Sequence, residues 1–323
     1  MSRNISIDIC KGLAILFVYL GHSILYYPVN LGDVFWCNVL ATCITSFNMP
    51  LFFVISVFLF VGTKKSSREL YKNKLIKIAI PFIFTMAIVI CAKMLIPSSL
   101  SYNKLNSIGE GVRDVFLYGG DRWFVYVILI IFMGMIPLRE KIMGWLGYIV
   151  LIACVILSMF KILPHIFLID KVVLYLPFFL IGGILKSNFS FLQKFITKYS
   201  WIIYVVFGVC NVCLVRSLIV IPFVGNYVLA VIGCCNFIAI SERIARYTES
   251  IVLKVIRYMG KYSLQFYLFT FPYPIIRYII TNVLGVTNSV VIVMSVFILQ
   301  IVTIGVIVEL GKRIKFLKIP MGY

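Results

Sequence analysis

Residues Ile7–Tyr27 read IDICKGLAILFVYLGHSILYY. At 1.5 Å of rise per residue, such a stretch has the ~20-residue length that crosses a bilayer. It nevertheless carries Asp8, Lys11 and His22. An ionisable group deep in a membrane helix costs about 2.5–3.5 kcal/mol on insertion scales, so several in one helix call for a function. Lys11 and His22 stand eleven positions apart, which is three turns plus about 20°, so they share one stripe roughly 16 Å long. Asp8 lies one turn before Lys11, at a spacing where the two pair.

The rest of the chain has the same character. Of 323 residues, 62% are apolar and 13% charged, against roughly half and a quarter in soluble domains, and the mean hydropathy is +1.07. A soluble enzyme and a disordered chain are both excluded. The pattern predicts an all-α integral membrane protein, a bundle of about ten transmembrane helices. The expected spans are Ile7–Tyr27, Val39–Val61, Leu75–Ile96, Trp123–Ile136, Leu146–Met159, Val172–Leu185, Trp201–Val215, Val220–Ile240, Ser263–Leu284 and Val290–Leu310. No hydropathy repeat, appended soluble domain or small-residue dimer motif stands out. Residues 1–323 read as a single transmembrane domain with a retained first helix.

A net charge of +19 would suggest nucleic acid in a soluble protein, but here the cations fall between the apolar runs. With ten spans and an inner N-terminus, 22 of the 30 Lys and Arg residues fall on the cytoplasmic side, from Arg3 to Lys318. That asymmetry places both termini in the cytoplasm. The one substantial outer loop is Pro97–Arg122. The nine cysteines sit mostly inside apolar segments. Even Cys210-x-x-Cys213 has no second pair or nearby His, so packing is expected there rather than a metal. The only other histidine is His165, which leaves His22 as the candidate for intramembrane proton transfer near neutral pH.

Six motifs in order then resemble one family. IDICKGLAILFVYLGH (Ile7–His22) is similar to the first helix of the membrane-bound acyltransferase-3 proteins, where Arg or Lys precedes His by eleven positions. FNMPLFFVISVFLF (Phe47–Phe60) resembles the second span. KNKLIKIAIPF (Lys72–Phe82) resembles the third, with Lys74 and Lys77 before Pro81 in place of an Arg pair. DRWFVYVIL, YLPFFLIGGIL and MGKYSLQFYLF resemble later landmarks. The chain departs from the pattern at Asn48, where many relatives have His, at Val57, where they have Gly, and at Thr270, where a His is frequent.

The resemblance implies transfer of an acyl group, usually acetyl, from cytoplasmic acyl-CoA to a hydroxyl of a cell-surface glycan or its lipid-linked precursor. No metal is implied. Acetyl-CoA would be the donor, the glycan and the bilayer the partners, and a bacterial cytoplasmic membrane the location. His22 would act as general base, with a covalent acyl-histidine relay as a variant. Asn48, Ser56 or Tyr267 would face the oxyanion, and Asp121 would orient the imidazole. Lys11, Lys74 and Lys77 would hold the phosphates of coenzyme A. Their neighbours Lys64, Lys65 and Arg68 read as plain orientation signal.

Trp123 is the candidate for stacking on a sugar ring, whereas Tyr26, Tyr27 and Tyr118 fit an interfacial aromatic belt. Arg277, inside the ninth span, would meet an anionic sugar or phosphate or else pair with another helix. A glycan exporter or flippase, and a catalytically silent scaffold, are the rival classes. The family position of His22 favours the enzyme.

Overall fold

A computed structural model describes residues 5–25, 30–58, 60, 61, 63, 65–97, 104–141, 144–187, 189–246, 250–270 and 272–323, those from 187 to 197 as backbone only. Arg3, Tyr26, Tyr27, Lys64 and the side chain of Lys194 lie outside the described residues. The first two helices are α1 (Ile5–Leu25) and α2 (Phe35–Phe58). Next come α3 (Ser67–Lys74), a π-helical turn (Leu75–Ala79) and α4 (Ile80–Leu95), which form one continuous rod. The middle of the chain forms α5 (Ile108–Tyr118), α6 (Trp123–Met135), α7 (Trp145–Phe160), α8 (Ile169–Ser187), α9 (Phe189–Val215) and α10 (Phe223–Ile244). The last part forms α11 (Ile251–Lys261), α12 (Ser263–Leu268), α13 (Tyr273–Tyr278) and α14 (Ser289–Arg313).

Among the described residues, eight helical stretches are long and apolar enough to span a bilayer. The shorter apolar helix α7 stands where the fifth expected span lies. The ninth is broken into α12, α13 and a second π-helical turn at Ile279–Val283. Each of the ten expected spans thus has a helical counterpart.

Apolar side chains left on the outside mark the faces that lipid covers. Trp145, Ile149, Ile152, Ile156 and Phe160 run down α7, and Val290, Met294, Ile298, Val302, Val306 and Leu310 run down α14. Stripes at three- and four-residue spacing would be liabilities in water and are the required surface in a bilayer.

Helix α1 is the axis of the bundle and touches α2, α10, α11 and α14. Its contact with α11 is backbone against backbone. A Cβ on Gly12 would lie 2.0 Å from the Ile256 carbonyl oxygen, and one on Gly260 would lie 1.7 Å from that of Asp8. On α11 the buried side is Leu253, Ile256 and Met259, while Lys254 and Lys261 face out. A comparable approach joins α2 and α8, where a Cβ on Gly182 would lie 2.4 Å from the Val54 oxygen. The small residue that this crossing needs, absent at Val57 of α2, is supplied by α8.

Prolines shape the rods. Pro81 has no N–H for the Lys77 carbonyl, and the helix widens into its π turn just before it. Gly322, with φ +78°, packs against that same Lys77 oxygen and Pro81. The C-terminal residues are thereby folded back onto the rod. Gln265 Nε2 donates to the Met321 oxygen (2.9 Å), and the Tyr323 hydroxyl donates to the Val308 oxygen (2.7 Å). Tyr258 donates to Glu309 at 2.7 Å. Burial and that bond push its phenol up to about 12, so it stays a donor. At the end of α2, the Lys186 ammonium from α8 caps the Phe58 and Val61 carbonyls, a helix C-terminus being where a cation is favoured.

Gly260→Val would drive a side chain into the α1 backbone. Overpacking typically costs about 1–3 kcal/mol, and backbone here has nowhere to shift. The melting temperature of the detergent-purified protein should therefore fall sharply, whereas Gly134→Ala, where an added Cβ meets nothing within 4 Å, should leave it unchanged.

Candidate active site

The break in the ninth span begins with its sequence, FPYPIIRY. Pro272 has no N–H to give the Leu268 carbonyl, four residues back, and Pro274 has none for Thr270. A helix in lipid must satisfy such groups internally. Arg122 does so at Leu268, its Nε donating to that oxygen at 2.9 Å. The Thr270 oxygen receives the Tyr273 N–H at 3.5 Å. The α12–α13 gap therefore exists because two prolines forbid a helix there, and a neighbouring loop closes the loss.

Arg122 is delivered by a tight reversal. Gly119 and Gly120 adopt φ +69° and +54°, a left-handed pair that glycine enters without strain. They stop α5 and start α6 at Trp123 after one 3-10 turn. The guanidinium is only 5% exposed. Its Nη1 also donates to the Asp121 carbonyl at 3.2 Å.

Between α1, α2, α4, the Asp121–Trp123 turn, α8 and the broken span lies a cavity of about 540 Å³. His22 lines it, as do Asn48, Lys93, Asp121, Arg122, Trp123, Tyr175, Tyr267, Thr270 and Tyr273. The volume is in the range of small-molecule sites. The His22 ring lies 5.0 Å from the Tyr273 ring at an interplanar angle of 37°. The structure thus unites five of the expected site residues, His22, Asn48, Asp121, Trp123 and Tyr267, around one space.

Their partners differ from the expectation. Asp121 forms an ion pair with Lys93 at 2.8 Å. Asn48 is buried against α1. With its amide turned to satisfy hydrogen bonding, Nδ2 donates to the Ala14 oxygen (3.2 Å) and Oδ1 accepts from the Val18 N–H (3.3 Å). It bolts α2 to the helix that carries His22. One face of Trp123 is covered by the Lys171 ammonium, 4.0 Å from the ring centroid, and Tyr175 lies 5.5 Å away, tilted.

Four others stand elsewhere. Arg277 is fully buried, but it does not line the cavity. Its Nη1 donates to the His22 (3.3 Å) and Ser23 (2.8 Å) carbonyls, and its Nη2 to that of Ile24 (3.4 Å). The expectation that it meets substrate is corrected in favour of the structural alternative, because the last carbonyls of α1 have no N–H of their own. Lys11 and Lys74 lie near each other towards the other end of α1, with the Lys74 ammonium 3.2 Å over the Phe132 ring. Lys77, on the π turn, is exposed. Lys11 and Lys74 are therefore separated from the His22 cavity along α1.

Sequence reasoning passed over Lys93, Arg122 and Tyr273 as site residues. Arg122 was in plain view within DRWFVYVIL, and Pro272 marks Leu268 as needing a donor. Nothing in the sequence says that the one supplies the other across 146 positions.

Comparison with known proteins adds the chemistry. The family described as Acyltransferase domain matches residues 4–309, and the chain belongs to it. It is 28% identical over 135 residues to nodulation protein NolL of Sinorhizobium fredii, covering 41% of this chain and 36% of the relative. It is 24% identical over 218 residues to nodulation protein NolL of Mesorhizobium japonicum, covering 64% and 54%. The chain thus spans about a third to a half of the length of these curated relatives. No solved structure matches the chain.

Arg277→Ala should lower the melting temperature by the equivalent of about 2–3 kcal/mol, since bonds to a charged donor are the stronger class. Arg277→Lys, which keeps the charge at the helix end, should lose less. Thermal unfolding in detergent reads both. Equal melting points for all three proteins would refute the cap.

Proposed function

We propose, with membership of the acyltransferase family as the premise, that the protein is an O-acyltransferase. It moves an acyl group, acetyl in the first instance, from acyl-CoA to a hydroxyl of a cell-surface glycan or its lipid-linked precursor. The observation that carries the reading is His22. It lines a cavity of substrate size on the helix whose opposite end carries Lys11, close to Lys74. The family supports the reaction class, and the two ends of the helix are assigned to its donor and its acceptor.

The donor's phosphates are assigned to the cationic end. Lys11, Lys74 and Lys77 bind them by charge, without the bidentate fork that arginine would offer. The positive-inside arithmetic supports a cytoplasmic side for that end, where acyl-CoA is available. The thioester arm then reaches along the α1 stripe towards His22. At the cavity His22 takes the proton of the acceptor hydroxyl as its oxygen attacks the thioester carbonyl. Asn48 serves by holding α1, and so the imidazole, in place. Asp121, neutralised by Lys93, borders the cavity beside Trp123, which is assigned the sugar.

His22→Ala should reduce transfer of labelled acetyl from acetyl-CoA to the glycan fraction of inverted membrane vesicles by about 10²–10⁴-fold, the usual worth of a general base. Insertion should be equal. Unchanged label would remove His22 from the mechanism. An absence of label with the unmodified protein and its native glycan would point to an exporter instead. Doubling Lys74→Gln with Lys77→Gln should raise the KM for acetyl-CoA and leave that for the glycan unchanged.

A further inference from the structure

We propose that Arg122 is a catalytic residue that stabilises the oxyanion formed when the acceptor hydroxyl adds to the thioester carbonyl. This role rests on the acyl-transfer reading above. Three observations carry it. Arg122 lines the same cavity as His22. Of the charged side chains on that cavity wall, Lys93 and Asp121 neutralise each other at 2.8 Å. Among the described residues no carboxylate pairs with Arg122, so the wall keeps one net positive charge.

The guanidinium is also incompletely used. Nε is tied to the Leu268 oxygen and Nη1 to the Asp121 oxygen. Nη2 is buried and has no hydrogen-bond partner among the described residues. Burying a cation without an anion, and a donor without an acceptor, is destabilising. An orphan of this kind in a native site asks for a partner that arrives during function. Two fixed bonds meanwhile hold the fork rigid, and rigid donors aimed at developing charge are what acyl transfer requires. Asn48, the other candidate for this task, has one amide N–H committed to Ala14, and a neutral amide is the weaker donor.

The step balances as follows. The hydroxyl proton passes to the His22 imidazole, and the oxygen's electron pair forms the new C–O bond. The carbonyl π pair moves onto oxygen, which becomes anionic and accepts from Arg122 Nη2. Collapse restores the C=O bond, breaks the C–S bond and releases the coenzyme A thiolate, which takes the proton back from the imidazolium. The cation is needed only while the oxyanion exists, so its loss acts on kcat.

The test uses the full-length protein in proteoliposomes, with acetyl-CoA and the glycan fraction as substrates. R122Q should lower kcat by about 10²–10³-fold and leave both KM values within about twofold of the unmodified protein. R122K, which can still reach the Leu268 oxygen, should keep the melting temperature and lose less of kcat. R122G should regain part of its activity in added guanidinium, which a purely structural arginine would not show. A raised glycan KM at full kcat would overturn the assignment and make Arg122 an anchor for an anionic acceptor. Full activity in R122Q would overturn it too. So would a loss in R122Q and R122K that tracks melting temperature and resists guanidinium. An inactive unmodified protein would overturn both this role and the acyl-transfer reading.

Discussion

Inside a bilayer a backbone carbonyl that loses its N–H has no water to turn to, and this protein places two prolines, Pro272 and Pro274, where that loss occurs. The ninth span cannot be a continuous helix, and the gap becomes part of the cavity wall through Tyr267, Thr270 and Tyr273. The carbonyl freed at Leu268 is taken by Arg122, which brings the Asp121–Trp123 turn against the break. The site is assembled around this one unsatisfied group. Were the span unbroken, Arg122 would lack its anchor and the cavity one of its walls.

The other half of the site depends on α1. Its N-terminal half is held by backbone contact with α11 at Gly12 and Gly260, its middle by the Asn48 amide, and its C-terminal end by the Arg277 fork. Tyr19 adds a bond to the Phe266 oxygen at 2.8 Å. A helix bearing an imidazole beside a reaction space must not rotate or slide. Each of these contacts opposes that motion through backbone atoms, which have no rotamers to escape into.

Charge is handled differently at the two ends. Towards the N-terminal end of α1, Lys74 lies over the Phe132 ring and Lys77 is exposed. At the cavity, charges are few and neutralised, Lys93 by Asp121, with Arg122 as the exception. A low-polarity space with one fixed cation strengthens whatever negative charge forms in it.

The sequence alone determined the membrane class, the ten apolar spans, the stripe that joins Lys11 to His22 and the family motifs. Hydrophobic length and helical periodicity are local properties, and each window of the chain carries them. It also named His22, Asn48, Asp121 and Trp123, which line one cavity, because their motifs are compact. The tertiary structure decided what those residues do. Asp121 meets Lys93, Asn48 meets the backbone of α1, and Arg277 turns to the end of α1 instead of the cavity. Arg122 reaches a carbonyl 146 positions away. Pairings of this kind depend on which helices become neighbours. Neighbours are chosen by close-packed crossings such as Gly12 on Ile256 and Gly182 on Val54, whose complementary halves lie far apart in the chain and show no pattern until they meet.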